Sequence, residues 1–203
     1  LDPGFDTAGL LDVQVDLSTQ RLSREAGRDF YRRLVERARE TPGVADATVA
    51  ALVPLGGSNM ETTFYVAGEP APAGRERRPR AYFNVIGPRY FATMHIPLVR
   101  GREFSDADRN GATPVAIVNE TMAARRWPGE SAIGQRVSIE GPDGPFAEVV
   151  GVAKDIRYNS IGEYVNEPDM RKYYLANLAS LDDHVGQVLN ELEKMGVADN
   201  TMV

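Results

Sequence analysis

The chain has 203 residues, 42% of them hydrophobic and 26% charged, a balance that excludes wholesale disorder and allows one sizeable core or two small ones. With 29 acidic against 23 basic side chains the formal net charge is -6, so the molecule as a whole repels phosphate backbones and anionic headgroups, and nucleic acid is not an expected partner. The absence of cysteine removes disulfides, thiolate nucleophiles and cysteine metal sites together, and leaves the redox compartment open.

The opening "LDPGFDT" has neither Met nor a charged-then-apolar leader, and reads as the interior of a longer protein. "LLDVQVDLS" follows, with Leu11, Val13, Val15 and Leu17 alternating against polar neighbours, which predicts a strand with one buried face. Ser23 is placed to cap a helix whose stripe is Phe30, Tyr31, Leu34, Val35 and Ala38, and Pro42-Gly43 stops it. "VADATVAALVPL" predicts a second strand, so the first 55 residues read as a β-α-β unit. The run that contains it is far shorter than the ~18 apolar residues of a membrane helix and carries Asp46, Pro54 and Gly56. The chain is therefore expected to be soluble as it stands.

"ETTFYVAG" and "RAYFNVIG" predict further strands around the exposed loop "EPAPAGRERRP". "GPRYFATMHIP" predicts a short helix stopped by Pro97, and "LVRGREFSDADRNGAT" is rich in turns. A second small unit then begins: a buried strand at "PVAIVN", a short helix at "ETMAARRWPG", and two strands around the "GPDG" turn, the last carrying Val149, Val150, Val152 and Ile156. From Pro168 onward the idiom changes. Tyr174, Leu178, Leu181, Val185, Val188, Leu192 and Met195 recur at three and four residues and Gly196 stands at a C-cap. That spacing predicts a helix of about seven turns.

Candidate sites are sparse. "DADRNG" puts Asp106, Asp108, Asn110 and Gly111 at the spacing that opens a calcium-binding EF-hand loop, but the twelfth position, which needs a bidentate Glu, is Ile117. The segment reads instead as a solvated turn whose Asp side chains cap backbone N–H groups. His95 and His184 are the only histidines; without cysteine they make no zinc site, and His95, between Met94 and Ile96, reads as a neutral core histidine while His184 reads as part of a solvated face. No P-loop and no Gly-x-Ser-x-Gly occurs. "RERRPR" lacks interleaved aromatics and reads as a wet loop, and "FYRRLVERAR", basic on one side and apolar on the other, reads as a helix packed on its own sheet rather than on a membrane. No catalytic, cofactor-binding or metal-binding residue is therefore assigned.

Five blocks, "DPGFDTAGLLDVQVDLS", "FYRRLVERARETPGVADATVAALVPLGG", "YFNVIGPRYFATMHIPLVRGREFSDAD", "PVAIVNETMAARRWPGESAIGQRV" and "EVVGVAKDIRYNSIGE", together resemble the MacB-like periplasmic core domain of bacterial ABC transporter permeases, especially large FtsX-like ones. The resemblance covers about residues 1–163. It implies an α+β fold: a porter-like β-α-β subdomain at 1–98 with an inserted small β-rich subdomain at 99–162, followed here by an appended helical segment at 163–203. It also implies a non-catalytic domain on the periplasmic face of the inner membrane, passing on conformational change and contacting partners or substrate, as in efflux. The implied partners are the transmembrane part of the same permease and a separate ATPase subunit.

"KYYLANLASLDDHVGQVLNELEKMGVADNTMV" resembles instead a segment of type I sulfatases, so the chain reads as chimeric beyond Gly162. It contains no Cys/Ser-x-Pro-x-Arg nucleophile motif and ends before the metal ligands of that family, which makes an inactive sulfatase fragment the alternative reading. In the permease family the chain after "YNSIGE" returns to the porter sheet. That return is expected to be missing here, leaving either a bare sheet edge or an edge covered by the tail helix, which is also the expected means of any self-association.

Overall fold

A computed structural model describes residues 3–15, 22–56, 60–70, 79–108, 111–157 and 174–177. In chain order the elements are α1 (Arg24–Glu40), β1 (Met60–Thr63), β2 (Tyr65–Val66), β3 (Arg80–Asn84), α2 (Tyr90–Thr93), β4 (Leu98–Gly101), β5 (Val115–Asn119), α3 (Glu120–Arg126), β6 (Arg136–Ser138), β7 (Ala147–Ala153) and β8 (Tyr174–Asn177). Mixed helix and sheet is thus the observed class, as the sequence predicts.

The eight strands form one sheet in the order β1-β3-β8-β5-β7-β6-β2, with β4 attached to β7. The two ends of that path, β1 and β2, are consecutive in the chain with only Phe64 between them. β1 pairs with β3 on one side, and β2 pairs with β6 on the other. The sheet consequently closes on itself as a small barrel, with Phe64 at the seam where one bent strand changes partners. Its backbone donates to Pro79 O at 3.1 Å, and its ring is completely buried. Closure leaves fewer free edges than an open sheet of the same strands.

β5 shows how the core is divided. Its five residues are all buried, and successive side chains point to opposite faces. Ala116 and Val118 join Phe64, Met122, Trp127, Val137 and Val149 in one cluster, which α3 covers. Val115 and Ile117 join Ile86, Tyr90, Phe91, Ile96 and Phe104 in the other, over which α2 lies, with Phe5 and Ile156 packed against it. β7 carries a bulge: Ala116 faces Val149 but Ile117 faces Gly151, so Val150 is the extra residue. The Val150 carbonyl accepts from Arg102 N at 2.9 Å, which presses β4 against the bulge. Only glycine fits at 101, where φ is +75° and a Cβ would stand 2.2 Å from Val150 O.

Several predicted elements form as read. Ser23 caps α1, its Oγ accepting from Ala26 N at 3.2 Å, and the helix stops before Pro42-Gly43. Others differ. Residues 10–15 of the predicted first strand form no strand and leave Leu11 79% and Val13 43% exposed; the period suits a strand, but no described strand lies alongside to pair with it. The second predicted strand touches the sheet through one bridge, Ala50 to Ile86, so no β-α-β unit is completed among the described residues. The division expected between 98 and 99 is not a division of the sheet, because β2 pairs with β6 and Leu98 itself opens β4 against β7.

The tail reading needs the largest correction. The helix predicted from Pro168 to Gly196 lies outside the described residues except at Tyr174–Asn177, and there the chain is strand β8. β8 runs parallel to β3 and antiparallel to β5, filling the gap between them. A strand of the tail therefore does join the described sheet, where the backbone edges of β3 and β5 supply donors and acceptors on both sides of it.

Two substitutions measure these constraints. Phe64→Ala is expected to cost about 3–5 kcal/mol by urea unfolding, since the seam cannot collapse around the loss without breaking a strand pairing. Gly101→Ala is expected to cost at least ~1–2 kcal/mol from the left-handed backbone alone, with a further loss from the contact at Val150 O.

Candidate functional site

One cluster of charge joins the N-terminal segment to the barrel. The last turn of α1 presents Arg39, whose Nε donates to Asp46 Oδ1 at 2.9 Å and whose guanidinium also reaches Ala47 O at 2.7 Å. From the other side Arg89 Nε donates to Asp46 Oδ2 at 2.7 Å. Arg89 reaches it from a left-handed backbone (φ 65°) just before α2. Asp46 is thus held by one arginine from the helix and one from the barrel, with its side chain only 15% exposed.

The surrounding backbone fixes this geometry. Ala51 N donates to Val85 O and Gly87 N to Val49 O, each at 2.8 Å. Leu52 and the buried Asn84 exchange two hydrogen bonds, Leu52 N to Oδ1 and Nδ2 to Leu52 O. Thr48 Oγ1 donates to Pro88 O at 2.9 Å. Gly87 leaves room for this approach, since a Cβ there would meet Val49 Cγ2 at 3.0 Å. Beyond Arg89, Glu103 caps α2 by accepting from Phe91 N at 2.6 Å. Burial pushes the Glu103 carboxyl above its ordinary value against the pull of the Phe91 and Ala92 N–H groups. At Asp46 burial also pulls upward, but the hydrogen bonds from Arg89 and Ala47 N–H and the two arginine charges outweigh it, and the carboxyl sits below its ordinary value.

A second polar junction ties the end of β7 to α3 and to the N-terminus. Asp155 accepts from Thr121 N at 3.2 Å, from Thr121 Oγ1 and from Asn119 Nδ2, while Asn119 Oδ1 caps the helix at Met122 N. Arg157 N donates to Pro3 O at 2.9 Å. Gly4 packs so closely that a Cβ would stand 2.6 Å from Asp155 O. At the other end of the barrel Arg126 pairs with Glu69 and lies 5.5 Å from the Phe64 ring centre. Beside it a depression lined by Tyr65, Pro70, Pro142 and Phe146 holds about 50 Å³, against the ~300 Å³ at which ligand pockets begin.

The candidates read from sequence fare unequally. Asp108 is bound by Arg102 through two bonds of 2.6 and 2.7 Å and accepts from Ser105 N at 2.9 Å. The Arg102 hydrogen bond holds its carboxyl below the ordinary value in spite of burial. Asp108 thus caps a turn, as the solvated-turn reading has it, and Ile117 is buried in β5; Asn110 lies outside the described residues. His95 corrects the core reading: it is exposed, with φ 53°, and its backbone N–H donates to Ala92 O at 3.1 Å just past the C-cap of α2, Met94. A left-handed position at a helix end turns its side chain outward while Ile96 goes in. His184 and residues 75–78 of "RERRPR" lie outside the described residues, and Arg80 pairs with Glu61 at 2.6 Å. On α1, Arg32 is shared by Asp29 and Glu36, so part of the basic face is neutralised on the helix itself. The pairing of Arg39, Asp46 and Arg89 was not read from sequence, although an aspartate inside the apolar run "VADATVAALV" was its signal.

The model of the family described as "MacB-like periplasmic core domain" matches residues 5–193. The chain belongs to this family. The match runs past residue 163, where the resemblance had been drawn to end, and takes in most of the tail read as sulfatase-like. A search of curated proteins finds no match. Among solved structures, the chain is similar to the extracellular domain of the noncanonical ABC-type transporter YknZ from Gram-positive bacteria, at 18% identity and TM-score 0.44, covering 73% of this chain and 62% of that one. It is similar to a domain of a putative permease protein from Porphyromonas gingivalis at 16% identity and TM-score 0.47, covering 81% and 57%. It is also similar to the periplasmic region of MacB from Actinobacillus actinomycetemcomitans, at 13% identity and TM-score 0.43, covering 83% and 82%. The chain thus spans less than two thirds of the first two. Among the described residues no helix is long and apolar enough to cross a membrane.

Acid titrates the first junction. A carboxyl held below its ordinary value stabilises the fold above that value, and the stabilisation is lost as pH falls through the depressed one. Asp46→Asn is expected to lower stability at pH 7 by roughly 1 kcal/mol, and the difference from wild type should vanish as the pH is taken well below 3.8, read by urea unfolding at a series of pH values. Glu103 contributes with the opposite sign, its stabilisation being lost as pH rises.

Proposed function

We propose that this chain is a non-catalytic extracytoplasmic domain of an ABC transporter permease, and that the Arg39–Asp46–Arg89 junction passes movement between its N-terminal segment and its barrel. The observation that carries the reading is the family match over residues 5–193. In the parent protein the domain is taken to stand on the periplasmic side, with the transmembrane part of the same permease and a separate ATPase subunit as partners and transport, including efflux, as the outcome. The closed barrel, residues 60–157 with β8, would be the small β-rich part. α1 and the segment from Val44 to Leu52 would begin the porter-like part, which puts the boundary between Gly56 and Met60 rather than at 98/99.

The junction suits this role because one carboxylate joins two elements that the sheet does not join by continuous pairing: 44–52 reaches the barrel through one bridge and a handful of side-chain bonds. Such a contact can break and re-form without unpairing the sheet, which a strand within it cannot. The sulfatase-like alternative finds no support in β8, since that strand completes the domain's own sheet.

Two measurements test the reading. A phosphatase reporter fused after Arg157 in the parent permease is expected to be active, as it would be outside the cytoplasm; an inactive reporter that is present at full level sinks the proposal. Asp46→Ala in the parent is expected to reduce transport-coupled ATP hydrolysis about 2- to 30-fold, the range of a coupling worth ~0.5–2 kcal/mol, while the domain stays folded by circular dichroism.

A further inference from the structure

β8 differs from the other strands in how it is connected. It completes the barrel between β3 and β5, pairing Tyr174, Leu175 and Ala176 with Tyr82, Phe83 and Asn84 on one side. On the other, Leu175, Ala176 and Asn177 face Val118, Ile117 and Ala116. Among the described residues nothing else pairs with those two edges. Yet 16 residues, 158–173, separate Arg157 from Tyr174, a contour of up to ~53–58 Å. β8 lies only two strands from β7 in the sheet, about 10 Å at ordinary strand spacing. Covalent connection therefore does not oblige a given β8 to fill the slot of its own barrel.

We propose that the slot between β3 and β5 is a strand acceptor, and that its second occupant is Tyr174–Asn177 of another copy of this chain, exchanged reciprocally to form a two-fold dimer. The slot recognises an extended backbone, offering donors and acceptors from both β3 and β5, and an identical strand from a neighbour makes the same pairs in the same register. An empty slot is the costly state, because it opens two strand edges in the middle of an otherwise closed sheet. A barrel that has lost β8 takes up whichever copy is at hand, and reciprocity leaves neither slot empty. The opposing term is the concentration at which a chain presents its own strand, on the order of 1 mM for a tether of this length. The exchanged dimer is therefore a minor species in dilute solution and becomes prominent where copies are crowded. This inference is independent of the transporter reading.

The absence of cysteine makes the test clean. Ala116 and Asn177 face each other across an antiparallel pair, where Cα atoms stand about 4.5–5.5 Å apart, within reach of a disulfide. The full chain carrying both Ala116→Cys and Asn177→Cys, refolded at about 10 µM with oxidised glutathione, is expected to close the disulfide within one chain. Two single variants, Ala116→Cys on an isotope-labelled chain and Asn177→Cys on an unlabelled one, are then refolded together. Since half of random pairs are mixed, mass spectrometry is expected to find the mixed 116–177 dimer rising from ~0.5% of chains at ~10 µM to about a quarter at ~1 mM. The pair Val118→Cys with Leu175→Cys repeats the measurement should the first variants misfold. Intramolecular closure without any concentration-dependent mixed dimer overturns the exchange, and failure of both double variants to close within the chain overturns the slot itself.

Discussion

Closure of the strand circuit is the constraint on which the rest depends. β1 and β2 are one run of chain that changes partners at Phe64, from β3 to β6, and the circuit is complete only because β8 stands between β3 and β5. Once the sheet is closed, its inner surface must be filled and its outer surface covered. Ala116, Val118, Val137 and Val149 turn inward with Phe64 and receive Met122 and Trp127 from around α3. Val115 and Ile117 turn outward beneath Tyr90, Phe91 and Phe104. The alternation along β5 is thus two cores sharing one strand, which is why a strand buried on both faces reads as an unbroken apolar run.

Polar groups are placed where this apolar arrangement ends. Asp155 and Asn119 satisfy the first N–H groups of α3 where β5 passes into the helix, and Glu103 does the same for α2. Asp46 differs from these, since it satisfies no helix end and joins two arginines from separate elements. A group that caps a helix is part of the fold's own accounting of backbone donors. A group that bridges elements otherwise loosely joined is where relative movement would be felt, and this difference singles out the Arg39–Asp46–Arg89 contact from the other charged pairs.

Local signals were legible wherever structure is decided within a few residues. Ser23 caps the helix that follows it, Pro42-Gly43 and Pro128-Gly129 stand just past the ends of α1 and α3, and the "GPDG" turn separates β6 from β7; the cap of α3 by Asn119 was not read. Within "DADRNG", Asp108 accepts from Ser105 N, and the residue where a calcium loop needs its last carboxylate is Ile117, in β5. His95 was misread because apolar neighbours on both sides suggest burial, whereas the left-handed backbone at the end of α2 sends its side chain away from theirs.

What the sequence determined by itself is the set of segments able to become helix or strand, their caps and turns, and a family resemblance carried by blocks no one of which is diagnostic alone. What only the tertiary structure decided is which of those segments pair. "LLDVQVDLS" has the alternation of a strand, and its described residues have no strand beside them; "KYYLANL" has the spacing of a helix, yet its Tyr174–Asn177 is a strand between two others. The physical reason is the same in both cases. A strand is stabilised by hydrogen bonds to a neighbour that may be distant in the chain, so side-chain period states what a segment can do, and only the open edges of β3 and β5 decide what it does.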